Sequence, residues 1–282
     1  MSKLVNKNVI VPEVYANLVR EKIAGKVKVA QMAENLGALV DKEVGETVTF
    51  PVWCFNNSAE DIAPGTPMEA IEMEQKTSQA EIRLIATKGV KVYDYDNVTA
   101  LGRAIDEGAE QQAIALARKL DDDLIAEARK TAFRQKLATK NTITEDELLD
   151  CLQLYGDDRD VDQFHGIVCY SAFAKSFYKM DGFVKSDITH TTDGNGIVRN
   201  GVIGAYLGIP VALSDRLYDA TNQEGFLLFI KKGSLGYMPK EVPFVETERK
   251  PAERSTTVYT SQIYATKLTD EAGVVIAKTV VS

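Results

Sequence analysis

The chain has 282 residues, enough for an ample core in one large domain or two smaller ones, and its 45% hydrophobic and 26% charged content is that of an ordinary globular protein. A net charge of −8, from 33 basic and 41 acidic residues with no long basic run, argues against tight nucleic-acid binding, which relies on many Lys and Arg to neutralise phosphates. No apolar run approaches the ~20 residues of a membrane helix, and residues 1–30 lack the apolar core and cleavage site of a secretory signal, so the expected compartment is the cytosol of the producing cell.

In chain order, Val9, Ile10 and Val11 precede a short helical pattern, Val14, Tyr15, Leu18, Val19 and Ile23, with Pro12 near its first turn. This is either a core helix or, preferred here, an arm that packs on a neighbour. Residues 45–53 read as a strand with Val48, Phe50 and Val52 on one face, and Pro51 favours an edge position because it cannot donate to a ladder. Residues 56–79 are polar and turn-rich, with Asn56-Asn57-Ser58 and Ala63-Pro64-Gly65-Thr66-Pro67. They read as an irregular excursion within a long hairpin, and a loop of that length in a compact domain is functional or disordered. Residues 80–92 then alternate, with Ala80, Ile82, Leu84, Ala86, Val90 and Val92 on one face and Glu81, Arg83, Thr87 and Lys91 on the other, which predicts one half-buried strand.

After the turn-like Asp94-Tyr95-Asp96-Asn97 the period changes. Leu101, Ile105, Ala109, Ala113, Leu116, Leu120, Leu124 and Ala128 recur at three and four, predicting an amphipathic helix with Phe133 as its far limit. The part after Gly108 alone would span ~40 Å at ~1.5 Å per residue. So long an element suits a subunit that tiles a surface better than a compact catalytic monomer. Thr144-Glu145-Asp146-Glu147 has capping-box spacing ahead of Leu148, Leu149 and Leu152, and Ser171 is expected to cap a helix through Met180. Strands are predicted at 166–170, 202–204, 207–213, 225–230, 256–268 and 273–281, with a turn at Asp193-Gly194-Asn195-Gly196. No internal repeat or low-complexity linker interrupts them, and the class is α+β with segregated elements.

The search for chemistry finds little. His165 and His190 lie near no cysteine and at no helical i, i+4 spacing, and read as structural or exposed. Cys54, Cys151 and Cys169 are odd in number, far apart and in no CxxC pair, and read as reduced thiols in or near the core. No Gly-x-Ser-x-Gly elbow occurs. With Gly196 at the glycine position of a calcium loop, Thr191 and Val202 would fill its first and twelfth positions, and neither residue suits. Gly233-Ser234-Leu235-Gly236 lacks a Walker lysine, and Gly201, Gly204 and Gly208 do not fit a dinucleotide fingerprint. Asp121-Asp122-Asp123 lies around a helix and is expected to be solvated, as are the short clusters Lys231-Lys232 and Lys240 near Arg249-Lys250. No catalytic, cofactor or metal site is expected.

The order of segments resembles the major capsid proteins of tailed bacteriophages with the HK97 fold. Val11-Pro12-Glu13-Val14-Tyr15 and its short helix resemble the N-terminal arm. Gly45-Glu46-Thr47-Val48-Thr49-Phe50-Pro51 resembles the strand entering the extended E-loop, and Gly65-Thr66-Pro67 lies where that loop often carries a glycine. Ala86-Thr87-Lys88-Gly89-Val90-Lys91-Val92-Tyr93-Asp94 resembles the returning strand. The helix after Gly108 matches the spine helix of the P domain, Leu207-Gly208-Ile209-Pro210-Val211 an A-domain strand, and Glu246-Thr247-Glu248-Arg249-Lys250-Pro251 the closing segment.

The resemblance implies an HK97-like α+β fold: an N-terminal arm and first helix at 1–44, the E-loop hairpin and flanking strands at 45–95, the spine helix at 96–142, mostly A domain at 143–240, and closing P-domain strands at 241–282. It implies a non-enzymatic coat protein without cofactors, assembled in the host bacterial cytoplasm into hexamers and pentamers of an icosahedral virion capsid around double-stranded DNA. The acidic balance fits a wall to which the DNA does not bind specifically. Further expected partners are a separate scaffolding protein, since the chain reaches the arm-like region within ten residues of Met1, and a portal, with no membrane. Ile62, Met68, Ile71 and Met73 in the E-loop are the expected inter-subunit contacts. The Lys–Asn cross-link of some members finds no matching motif here. The competing readings are an encapsulin-type bacterial nanocompartment shell and a cytosolic α+β enzyme using His165 or an acidic pair.

Overall fold

Two sheets meet at one long helix in the computed structural model, which describes residues 12–24, 26–39, 42–53, 72, 75–95, 104–156, 160–185, 201–240 and 243–280. In chain order these form α1 (Pro12–Ala24), β1 (Glu34–Asn35), β2 (Thr47–Trp53), β3 (Gln75–Glu81), β4 (Arg83–Ala86), β5 (Val90–Tyr93), α2 (Ala104–Ala128), β6 (Arg134–Lys136), α3 (Glu145–Gln153), β7 (Phe164–Cys169), α4 (Ala174–Phe177) and β8 (Phe183–Lys185). There follow β9 (Val202–Tyr206), β10 (Ile209–Leu213), β11 (Tyr218–Asp219), β12 (Glu224–Gly225), β13 (Leu227–Lys231), β14 (Leu235–Pro239), β15 (Phe244–Lys250), β16 (Ser255–Leu268) and β17 (Val274–Lys278).

The 14-residue β16 is the axis of the first sheet. It pairs antiparallel with β5 and β4 along one edge and with β15 and β14 along the other, and β1 adds in parallel outside β14. Even-numbered β16 residues face α2, where Val258, Tyr264 and Leu268 join Ala109, Ala113, Leu116, Leu120, Leu124 and Ala128 in one buried cluster. Every described member of the predicted helical stripe is therefore in the core, while Leu101 and the Ile105 side chain lie outside the described residues. The helix runs 25 residues, about 38 Å.

It stops at Ala128, short of Phe133. The Thr131 hydroxyl lies 2.8 Å from the carbonyl oxygens of both Glu271 and Val274, and its oxygen accepts the Phe133 N–H. That anchor turns the chain into β6, and Phe133 packs on the second core instead.

The helix also buries polar groups, contrary to the solvated Asp121-Asp122-Asp123 expected from sequence. Asp121 and Asp123 are 3% and 5% exposed. Asp121 accepts the backbone N–H groups of Lys28 and Ala30 at 2.9 and 3.0 Å, fixing the loop after α1. Burial raises its pKa, and the backbone N–H donors oppose that shift without cancelling it. Asp123 accepts the Tyr264 hydroxyl at 2.8 Å and pairs with Lys119. Gln112 accepts from the hydroxyls of Tyr15 and Thr260 at 2.8 and 2.7 Å and donates to the Val258 and Lys88 carbonyls. All four hydrogen-bonding positions of that buried amide are used.

α1 is a core helix of its own subunit, not a free arm. Tyr15, Val19 and Ile23 sit in the same buried cluster as α2, and Lys22 and Lys26 pair with Glu110 at 3.3 and 3.1 Å. The spacing of its apolar residues is equally good for either role, and only the presence of α2 decides.

The single strand expected over 80–92 is three. β3 pairs with β2, and the chain changes partner to β16 at Arg83. The alternation slips there: Ile85 turns toward α2 and Leu84 is 50% exposed. The returning hairpin strand correspondingly starts at Gln75, inside the stretch expected to be irregular. Where the chain crosses, Gly108 of α2 passes β5 so closely that a Cβ there would stand 2.9 Å from Val90 Cγ1.

The second sheet has the order β6-β17-β13-β7-β10-β9-β8, with β10 parallel to β7 and β13 antiparallel to both of its neighbours. Thus β6 and β17 stand in this sheet, although residues 96–142 and 241–282 were expected to group with the long helix. The reason is pairing: Val274–Ala277 lies in register with Leu227–Ile230, a run with apolar side chains on both faces. β9 and β10 join through Leu207-Gly208, both at positive φ (48° and 83°) as the tightest hairpin loop requires.

α3 covers this sheet with Leu148, Cys151 and Leu152 buried. Its capping box is complete: Thr144 accepts the Glu147 N–H and Glu147 accepts the Thr144 N–H. Ser171 does not cap; it opens a 3-10 turn, and the helix that follows ends at Phe177, well before Met180.

Leu120→Ala should destabilise the subunit by ~2–5 kcal/mol, measured by denaturant unfolding, as for a buried leucine truncation. Thr144→Ala should cost ~1 kcal/mol through the lost cap. Burial pushes the Glu147 carboxyl up, but the N–H groups of Ala138 and Thr144 and the Thr144 hydroxyl outweigh it and the pKa is lowered. A lowered folded pKa means that this stabilisation is complete above the unfolded value and is lost as pH falls through the folded one. Unfolding free energy followed from about pH 5 to pH 2 should therefore fall less steeply in Glu147→Gln than in the parent.

Candidate assembly surface

β2 and β3 form a two-stranded ribbon, in register from Thr47 opposite Glu81 to Trp53 opposite Gln75. At ~3.4 Å per residue its seven-residue strands extend about 24 Å. Its base is pinned: Phe50 is fully buried with Leu39, Ile82, Met238 and Ala265, on the face of the first sheet opposite α2. Gly45 donates to the Ile82 carbonyl at 3.0 Å and Ile82 to the Glu46 carbonyl at 2.9 Å, which closes the ribbon onto the body. Gly236 makes the room, since a Cβ there would come within 3.1 Å of the Phe50 ring.

Past this base no further strand flanks the ribbon among the described residues, and Thr49, Thr77, Gln79 and Glu81 are exposed. An isolated two-stranded ribbon is marginal in water. The predicted contact residues Ile62, Met68, Ile71 and Met73 lie outside the described residues, on the stretch this ribbon carries.

Among the described residues, the same face of the first sheet is uncovered beyond the ribbon. Tyr93, Phe244 and Tyr259 are each more than 40% exposed there, near Leu84. Gly89 lets the Tyr259 ring lie against the backbone, because a Cβ at that position would meet the ring at 2.6 Å. Charges flank these side chains in pairs. Lys91 pairs with Glu253 while lying over the Tyr93 ring, and Glu248, itself beside Lys250, accepts the Tyr259 hydroxyl. Aromatic side chains within a polar rim are the composition of a protein–protein contact.

The described residues offer little for catalysis. Cys151 and Cys169 are buried thiols; burial raises Cys151 to about 12 and Cys169 further, so neither forms a thiolate nucleophile. Burial and Lys232 lower the pKa of His165, with Glu34 opposing. Among the described residues no group of three or more His, Cys, Asp or Glu is placed to hold a metal ion, and no helix is long and apolar enough to cross a membrane. His190, Cys54 and the 193–196 turn lie outside the described residues. The side chains that sequence reasoning missed are Gln112, Asp121 and Asp123; their signal was their place beside the apolar stripe, three residues after Ala109 for Gln112, three before Leu124 for Asp121 and three after Leu120 for Asp123.

Solved structures similar to this one include phage capsids, among them the mature capsid of bacteriophage PhiM1. The fold matches a chain of Gordonia phage Cozz with a TM-score of 0.61 at 14% identity, covering 91% of this chain and 87% of that one. It matches a virus-like particle from Pyrococcus furiosus with a TM-score of 0.60 at 11% identity, over 95% of this chain and 100% of the other. At these identities the likeness establishes the HK97-type capsid fold. In sequence, the chain is 28% identical over 265 residues to the major capsid protein of Staphylococcus phage phiMR11, covering 94% of this chain and 91% of that one. Residues 85–277, from the middle of β4 to the end of β17, match the model of a family described as phage capsid protein. With two thirds of its length matched, the chain belongs to the phage capsid protein family and is a structural protein of the virion shell, not an enzyme.

Proposed function

We propose that copies of this chain form hexamers and pentamers that close into an icosahedral phage head around double-stranded DNA. One observation carries the reading: a pinned ribbon reaches off the body with no further strand of the described residues beside it. Residues 54–74 between its strands have too few apolar groups to build a core, and ordering them costs ~1–2 kcal/mol per residue in backbone entropy. A neighbouring subunit supplies the compensating contacts, with Ile62, Met68, Ile71 and Met73 as the side chains it buries.

In this reading the ribbon is the E-loop, α2 the spine of the P domain with the first sheet, and the second sheet the core of the A domain. The net charge of −8 supports a wall that DNA touches without specific binding. A scaffolding protein and a portal are the further partners the reading expects, with assembly in the host bacterial cytoplasm. The fold alone serves other shells, as the Pyrococcus furiosus particle illustrates. The family match and the Staphylococcus phage relative favour a phage head over an encapsulin-type compartment.

Replacing residues 54–74 with Asn-Gly would join Trp53 to Gln75, which already face each other in register. The variant should keep its circular dichroism spectrum and lose closed shells in negative-stain microscopy. Normal shells would refute the role given to the loop, and global unfolding would show that the loop belongs to the subunit core.

A further inference from the structure

Where α2 ends, a small cavity of about 220 Å³ opens against the second sheet, lined by Arg129, Arg134, Asp219, Phe226, Ile276 and Lys278. In the parallel register of β6 with β17, Arg134 stands beside Ile276 and Lys136 beside Lys278. Arg134, Ile276 and Lys278 therefore share one face, the face whose Ile276 packs into the α2 cluster. Arg129 reaches the cavity from the end of the helix, and its guanidinium lies over the Phe226 ring at 4.6 Å, which fixes its plane. Three cations from three parts of the chain thus meet above an apolar wall of Phe226 and Ile276, and Asp219 is the one carboxylate among the described lining residues. Asp219 is already engaged: Oδ1 accepts the Thr221 N–H at 3.1 Å, Oδ2 the Asn222 amide at 3.2 Å, and its contact with Arg129 is a single one of 3.5 Å. Glu224 faces Asp219 across the β11–β12 pair but does not line the cavity; its Oε1 accepts the Val280 N–H. Nor are all three cations needed at the negative end of α2. The carbonyls of Ile125, Glu127 and Ala128 accept N–H groups of the turn that follows, and Arg134 alone donates to those of Arg129 and Thr131. Lys278 has no hydrogen-bond or ion-pair partner among the described residues.

We propose that this cavity is a binding site for a phosphoryl oxyanion. Its three cations and one carboxylate leave an excess of two positive charges among the described lining residues, in a chain whose net charge is −8. A phosphate group carries about −1.5 to −2 at pH 7 and matches that excess, whereas a carboxylate would answer half of it. A planar guanidinium held in place and a mobile ammonium are the complementary donors such a group takes, one as a fork and one as a point charge. The apolar wall strengthens these interactions by excluding water from one side. The volume lies below the ~300–1,000 Å³ of sites for organic ligands, so the cavity suits the ion itself or a phosphate projecting from a larger molecule. Once bound, the anion ties the end of α2 to β6, β17 and β11 and so braces the joint between the long helix and the second sheet. Free phosphate and the backbone phosphates of a nucleic acid offer the same chemistry, and the experiment separates them. The inference stands apart from the E-loop reading, since no residue of 54–74 enters it.

The test titrates the full chain with inorganic phosphate, followed by isothermal calorimetry and by thermal unfolding, against sodium chloride of equal ionic strength. Phosphate should bind and raise the melting temperature where chloride does not, as a ligand of the folded state must. Two substitutions should act in opposite directions. Lys278→Gln removes a donor and should weaken phosphate binding about fivefold or more. Asp219→Asn removes the competing carboxylate and should tighten binding about threefold, a gain that general damage to the fold would not produce. Circular dichroism checks both variants; if Lys278→Gln does not fold, the tightening by Asp219→Asn decides. A short DNA duplex, titrated into the parent and into Lys278→Gln, identifies the source: duplex binding weakened by the substitution marks backbone phosphates, and duplex binding that is absent or unchanged marks the free ion. No phosphate binding beyond the chloride control, binding that neither substitution alters, or weaker binding in Asp219→Asn would each overturn the proposal.

Discussion

Seating α2 against β16 positions α1, the loop after it and the first sheet together, because the helix carries Gln112, Asp121 and Asp123 into its apolar contact. A buried polar group without a partner costs about 1–3 kcal/mol, and more if charged. The helix can therefore dock only where those partners converge. Gln112 needs Tyr15 from α1, Thr260 and Val258 from β16 and Lys88 from the link between β4 and β5. Asp121 needs the backbone of residues 28–30, and Asp123 the Tyr264 hydroxyl. Apolar packing would tolerate a helix slid or rotated by a turn; these bonds do not. They confer uniqueness of docking more than raw stability.

Among the described residues the subunit is closed on that side and open on the other. Both large clusters are closed and the capping box of α3 is satisfied, yet no described element covers the β2–β3 ribbon or the Tyr259 face. A monomeric protein blunts such features. On the reading proposed above, a shell subunit gains by keeping them, because a neighbouring copy supplies the contacts that compensate the ribbon. The scarcity of catalytic chemistry fits this division: the two described cysteines are packing residues whose thiols burial has silenced.

Much of this was legible in the residues. The stripe from Ala109 to Ala128 marked its buried face, the Thr144–Glu147 box its helix start, and the runs at 166–170 and 225–230 their strands, because each depends on interactions within a few residues. Pro51 marked a strand paired on one side only. The misreadings share another cause. Leu84 lost its predicted burial because the chain changes strand partner at Arg83, an event set by residues about 180 positions away. Asp121 and Asp123 were taken for solvent-facing because acids usually are; their donors come from residues 28–30 and from Tyr264.

The amino-acid order by itself determined where the long helix, the capped helix and most strands form and which side of the long helix is apolar, since propensity, capping and periodicity are local. Which sheet a strand joins, whether α1 packs on its own body, and where the helix turns into β6 are questions of pairing between distant segments. Only the tertiary structure decided those, because the free energy of a buried hydrogen bond or a filled core position exists only once both partners, far apart in the chain, have been brought together.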